Sequence, residues 1–127
     1  MDVTEADLAD ELADYHRKYA KRVPLGLSDL CGPSQGLIEP PFTVVWSGLR
    51  VFDLSDPRQR LSLYRNVLAE GMREDICALL NRRLLEEQWP LLRRVLVPAA
   101  RRVWERRFPE LAALPEMTRP AFLDAAA

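Results

Sequence analysis

Residues 82–111 read RRLLEEQWPLLRRVLVPAARRVWERRFPEL, and this stretch decides the fold. Its first apolar residues recur at steps of four, three and four: Leu85, Trp89, Leu92 and Leu96. That spacing places them on one face of a helix. Pro90 interrupts the backbone ladder, so it either kinks this helix or starts a new one.

The second half of the stretch predicts another helix. Pro98 fits the first helical position, and Pro109 is expected to close the helix. Its inward residues are Ala100, Val103, Trp104 and Phe108. At this spacing Trp89 and Trp104 are expected in the core.

Two shorter helices are predicted upstream. Asp56-Pro57 has the form of an N-cap followed by proline, and Gly71 fits a C′ stop. The next helix carries Met72, Ile76, Leu79 and Leu80 on one side. Asn81 either ends that helix or caps the following one.

Residues 42–54, FTVVWSGLRVFDL, are the only β-like stretch. Valines and aromatics dominate it, and Ser47-Gly48 stands where a tight turn would produce a hairpin. Seven Pro and Gly residues between positions 24 and 41 predict an irregular connection before it.

The chain begins with a predicted amphipathic helix. Thr4 is a candidate N-cap and Pro24 a stop. The apolar stripe is Leu8, Leu12, Tyr15 and Tyr19. Acidic residues gather at the start of the helix and basic ones at its end, as the helix dipole favours.

The expected fold is therefore mainly α: a small helical domain with one short β-hairpin and an N-terminal amphipathic helix. We assign residues 1–41 to the first helix and its connection, 42–111 to the helical core with its leading hairpin, and 112–127 to a loosely held tail. The charge changes at the boundary, from −4 over residues 1–40 to +3 over residues 41–127.

Composition excludes several classes of protein. The 127 residues are 48% hydrophobic and 29% charged, with a net charge of −1, which is typical of a globular domain and disfavours general polyanion binding. No stretch is long and apolar enough for a membrane span. Asp2 and Glu5 argue against a secretory signal, and Cys31 and Cys77 form no paired motif, so we expect free, buried thiols in a cytoplasmic protein.

The sequence offers little for catalysis. His16 is the only histidine, and a glycine-rich phosphate loop is missing. We therefore expect a non-enzyme with no catalytic residues, no metal site and no cofactor.

Arginine doublets point instead to an acidic partner. They are Arg82-Arg83, Arg93-Arg94, Arg101-Arg102 and Arg106-Arg107. A guanidinium group can form two hydrogen bonds with one carboxylate or phosphate, so the doublets would suit an acidic protein surface or DNA. A solvated helical surface explains the doublets equally well. Trp46 is the tryptophan best placed for an interface. The candidate partner-binding residues are Trp46, Arg93, Arg94, Arg101 and Arg102.

An ordered series of short motifs carries a resemblance to a known family. The series runs Trp46-Ser47-Gly48, Phe52-Asp53-Leu54, Asp56-Pro57-Arg58, Leu63-Tyr64, Val67-Leu68, Glu70-Gly71, Asp75-Ile76, Leu84-Leu85, Trp89-Pro90, Pro98, Arg102, Trp104-Glu105 and Phe108-Pro109-Glu110-Leu111. It resembles small actinobacterial proteins encoded beside nucleotidyltransferase toxins of the AbiEii type, the antitoxin half of MenA/MenT-like pairs. The motifs cover about half of the chain.

The resemblance implies neutralisation of a toxin by direct binding and occlusion of its active-site groove. Arginine doublets would then pair with toxin carboxylates, Trp46 would anchor beside the hairpin, and the acidic first helix would cover basic toxin surface. The alternative is a small DNA-binding regulator that controls its own operon. A second copy of the chain is a further candidate partner.

Overall fold

The computed structural model describes residues 5–116, and the chain over this range is mainly helical, as predicted. Its α-helices are α1 (Glu5–Ala20), α2 (Pro57–Glu70), α3 (Arg73–Leu79), α4 (Arg82–Val95), α5 (Pro98–Arg107) and α6 (Pro109–Ala112). Strands β1 (Leu37–Ile38) and β2 (Phe52–Asp53) pair antiparallel, and a 3-10 turn covers Leu27–Asp29. The predicted cap Thr4 and most of the predicted tail, residues 117–127, lie outside the described residues.

Helix α4 lies at the centre of the core. Its buried residues are Leu84, Leu85, Gln88, Trp89, Pro90, Leu91, Leu92 and Arg93. The rings of Trp89 and Trp104 stand 6.2 Å apart, and Phe108 extends the aromatic cluster. Both tryptophans are fully enclosed, which confirms the prediction from their spacing.

The helix boundaries follow local sequence signals. The Asp56 carboxylate accepts the Arg58 N–H at 3.0 Å, with Pro57 at the first helical position. Asn81 caps α4 rather than ending α3, because its side-chain oxygen accepts the Leu84 N–H at 3.2 Å. Pro98 opens α5 as expected.

The structure settles one open alternative about the helices and corrects two expectations about their ends. Pro90 was expected either to kink its helix or to start a new one, and it lies inside a continuous α4. Pro109 opens α6 instead of simply closing α5, since its fixed φ suits a first helical position. Gly71 ends α2 with an extended backbone, φ −73°, and not in a left-handed C′ conformation. A Cβ at Gly71 would lie 2.7 Å from the Val67 carbonyl oxygen, so close approach explains this glycine.

The two-strand hairpin exists, but its position differs from the prediction. Leu37 pairs with Asp53 and Ile38 with Phe52, so residues 39–51 form the connection and Ser47-Gly48 does not join adjacent strands. A backbone hydrogen bond beyond the strands supports this register, because the Leu54 N–H donates to the Gly36 carbonyl at 3.0 Å and continues the pairing. Gly48, with φ +76°, provides a left-handed bend within the long connection.

The proline- and glycine-rich segment is fastened to the end of α3. Cys31 N–H donates to the Cys77 carbonyl at 2.8 Å, and Gly32 N–H donates to the Leu80 carbonyl at 2.9 Å. The Asn81 amide donates to the Gly32 carbonyl at 3.2 Å. These contacts make the segment a fixed part of the fold.

Residues on both sides of position 41 share one hydrophobic core. The contributors from the first part are Tyr19, Val23, Leu27, Leu30 and Ile38. Packing of α1 on α5 joins the N-terminal helix to the rest of the chain. The division into domains at residue 41 stays a prediction about organisation.

Substitution of Gly32 by alanine is expected to destabilise the fold. The new Cβ would lie 2.4 Å from the Leu79 carbonyl carbon and oxygen. These are backbone atoms, which cannot move far to relieve the clash. We expect a loss of about 2 kcal/mol in the free energy of unfolding, measured by urea denaturation.

The matched control is Gly26→Ala, whose Cβ would meet only the Ser28 hydroxyl at 3.5 Å. This variant should unfold close to the wild-type midpoint. Equal stability of the two variants would contradict the tight fit at Gly32.

Candidate partner-binding surface

The connection between the two strands, residues 39–51 and here called the Trp46 loop, exposes large apolar side chains. Trp46 is 63% exposed and Phe42 70%. Leu49 and Val51 are exposed in the same loop, and Leu37 is exposed on the adjoining strand β1. Several large apolar side chains exposed on one loop and its adjoining strand are typical of interaction sites.

The loop is anchored from its inner side. Val44 and Val45 are buried in the core, and their N–H groups donate to the Pro41 carbonyl at 3.0 and 3.1 Å. This turn places Trp46 on the surface directly after two buried residues. The exposure of Trp46 is therefore built into the backbone of an ordered loop.

Arg50 braces the loop across its base. Its Nη2 donates to the Pro40 carbonyl at 2.7 Å, and its guanidinium lies 4.1 Å from the centre of the Phe42 ring. A cation above an aromatic face is attractive and holds the ring in one orientation. Phe42 is thus exposed with its ring in contact with the Arg50 guanidinium, on the same loop as Trp46.

Sequence reasoning identified Trp46 but missed Phe42, Leu49 and Arg50. These residues fell in the predicted strands, where their side chains would alternate between the core and solvent. A signal for Phe42 was present in Pro40-Pro41, since consecutive prolines disfavour a central strand at that point.

Arg93 has a structural position in the core. It is 4% exposed, and its Nη2 donates to the Leu111 carbonyl at 2.7 Å. Its Nε lies 3.5 Å from Glu105 Oε2, and its Nη1 lies 3.5 Å from Glu116 Oε1. The side chain of Arg93 thus serves internal contacts of the domain.

The other three predicted arginines lie closer to solvent. Arg94 and Arg102 are exposed, while Arg101 is half-exposed and donates to Glu105 Oε1 at 3.0 Å. The structure brings Arg93 and Arg101 together, since both lie next to Glu105. It places Trp46 on a loop and the arginines on α4 and α5.

Glu105 is the acceptor at the centre of this region. Trp89 Nε1 donates to its Oε2 at 3.1 Å, in addition to the Arg101 contact. Burial acts to raise the pKa of Glu105, but hydrogen bonds from Arg101 and Trp89, with the nearby charges of Arg101 and Arg93, outweigh it and lower the pKa below its ordinary value. The ionised carboxylate is therefore the native form.

A second exposed apolar surface lies on α1. Leu8, Leu12 and Tyr15 are each about half exposed, whereas Tyr19 alone of the predicted stripe is buried. We call Leu8, Leu12 and Tyr15 the α1 stripe. Only the C-terminal residue of the predicted apolar stripe packs in the core, and the other three side chains are exposed to solvent.

Chemistry-bearing groups are sparse over residues 5–116. No group of three or more His, Cys, Asp or Glu residues in this range is placed to hold a metal ion. None of the helices described has the length and apolar character needed to cross a bilayer. Both cysteines are free, but Cys31 is exposed and Cys77 half-buried, so the expectation of two buried thiols was wrong.

Comparison with protein-family models, with curated proteins and with solved structures finds no match to this chain.

Glu105→Gln should destabilise the domain in a pH-dependent manner. At neutral pH the variant leaves the buried Arg93 with only the exposed Glu116 as a counter-charge, and we expect a loss of about 3 kcal/mol in unfolding free energy. Because the native pKa of Glu105 is lowered, its contribution is present above the ordinary glutamate pKa and is lost as the pH falls through the lowered value. Denaturant unfolding at neutral and acid pH measures the difference.

The control is Glu87→Gln, which removes an exposed pair with Arg83 and should cost less than about 1 kcal/mol. A Glu105→Gln deficit that is the same at neutral and acid pH would contradict the role of the ionised carboxylate.

Proposed function

We propose that this protein acts by binding another protein through the Trp46 loop. The observation that carries the proposal is the exposure of Trp46 and Phe42 on a loop whose neighbours Val44 and Val45 are buried. An ordered loop that presents aromatic rings to water loses little conformational entropy on binding. Tryptophan is also among the residues that contribute most to protein–protein affinity.

The partner that the sequence resemblance suggests is a nucleotidyltransferase toxin, with this chain as its antitoxin in the cytoplasm. An antitoxin of this kind needs no catalytic group, because covering the active-site groove is sufficient. The exposed Arg94 and Arg102 would meet carboxylates of the toxin and orient the approach. Arg93 would act only indirectly, by holding α4 and the α6 turn together.

DNA binding is the alternative, and the geometry of α4 gives it less support. Most of α4 is buried, including Trp89, and its exposed side carries Glu87 as well as arginines, which does not favour insertion into the major groove. Two arginines at its start pair with acids on the same helix, Arg82 with Glu86 and Arg83 with Glu87. Such internal pairing lowers the charge available for phosphates.

Trp46→Ala should weaken the complex with the partner protein. Truncation of a central aromatic residue costs about 2 kcal/mol or more, which corresponds to a loss of about 30-fold in affinity. Calorimetry or biolayer interferometry with the co-expressed neighbouring toxin measures this change. The control Met72→Ala removes an exposed apolar side chain outside the loop and should bind like the wild type.

The function itself is tested by co-purification of the chain with the product of the neighbouring gene, followed by a nucleotide-transfer assay. We expect a stable complex in which transfer is inhibited. A toxin that neither binds the chain nor loses activity would overturn the proposal. A gel shift with upstream DNA at physiological salt, retained by Trp46→Ala, would favour the regulator instead.

A further inference from the structure

A cleft with basic walls lies between α1 and α5, away from the Trp46 loop in sequence. Its volume is about 360 Å³. The apolar residues that line it are Ala20, Val23 and Val103, and the polar ones are His16, Arg106 and Arg107. This size falls in the range of sites that bind small molecules.

The described ionisable residues that line the cleft are all basic. Among its described lining residues there are two guanidinium groups and an imidazole, with no carboxylate. The described acids of α1 that line a groove, Glu11 and Asp14, belong to a separate one with Tyr15 and Lys18. An anion in the α1–α5 cleft would therefore meet donors without a competing carboxylate among the described lining residues.

One of the two arginines is held in place by the backbone. Arg107 Nε donates to the Pro24 carbonyl at 3.5 Å, which leaves its terminal nitrogens without a part in that contact, and the residue lines the cleft. Arg106 is exposed beside it, and His16 is half-buried on the facing helix. Groups from two packed helices thus converge on one space.

We infer that this cleft binds a small organic phosphomonoester. The phosphate would accept hydrogen bonds from Arg106 and Arg107, whose forked donors suit phosphate oxygens, and from His16. The organic group would lie against the exposed Ala20, over a floor formed by the buried Val23 and Val103. The inference does not depend on the proposed function, because it uses α1 and α5 and not the Trp46 loop.

Phenyl phosphate is the probe, titrated into the isotopically labelled full chain and followed by amide NMR shifts. Saturable shifts are expected at residues 16, 20, 23 and 103. Benzoate, phenol and inorganic phosphate are the comparison ligands, and each should bind at least about fivefold more weakly because it lacks either the dianion or the ring. If inorganic phosphate binds as tightly as phenyl phosphate, the inference that the ligand carries an organic group is wrong. If benzoate binds as tightly, the inference that the ligand carries a phosphate is wrong.

The decisive variant is Arg106→Gln, since this exposed side chain has little effect on folding. We expect affinity for phenyl phosphate to fall by about tenfold or more. Arg102→Gln, which changes an exposed arginine of the same helix outside the cleft, should stay within about twofold of the wild type. Thermal melting of both variants verifies the fold. Unsaturated shifts, shifts confined to other residues, or equal affinity of the two variants would overturn the inference.

Discussion

The arrangement of the C-terminal helices depends on one largely buried carboxylate, that of Glu105. The inward face of α4 is buried, and Arg93 on that face is only 4% exposed, so its charge needs a partner inside the fold. Glu105 of α5 supplies it and also receives the Trp89 indole N–H. Since Arg93 further donates to the Leu111 carbonyl, a single charged centre fixes α4, α5 and the α6 turn relative to one another.

The start of α4 connects this charged centre to the Trp46 loop at the surface. Asn81 caps the helix with its side-chain oxygen and holds the Gly32 carbonyl with its amide. Its own N–H donates to the Tyr64 hydroxyl at 2.9 Å, and burial raises the pKa of that tyrosine to about 12. Through Gly32 the irregular segment is placed so that β1 reaches β2, and the pairing of the strands sets both ends of the Trp46 loop.

Local signals made the helices predictable, whereas contacts between distant residues did not show in the sequence. Asp56-Pro57 and Pro98 act within one helical turn, so their residue types alone indicate helix starts. Strand β1 is two residues long and follows Gly36, so it has no periodicity to detect. Burial of Arg93 depends on Glu105, twelve positions away on another helix, and a doublet with Arg94 gives no indication of which member faces inward.

The exposure of Trp46 and Phe42 does not follow from a loop that lies away from the core. The same loop buries Val44 and Val45 completely while Trp46, the next residue, remains outside. A fold that served only its own stability would gain from a polar residue at that position, because exposed apolar surface costs solubility and adds nothing to packing. The α1 stripe repeats the pattern, since Tyr19 is buried while Leu12 is not. Apolar side chains exposed on both α1 and the Trp46 loop would suit the proposed binding of a partner protein.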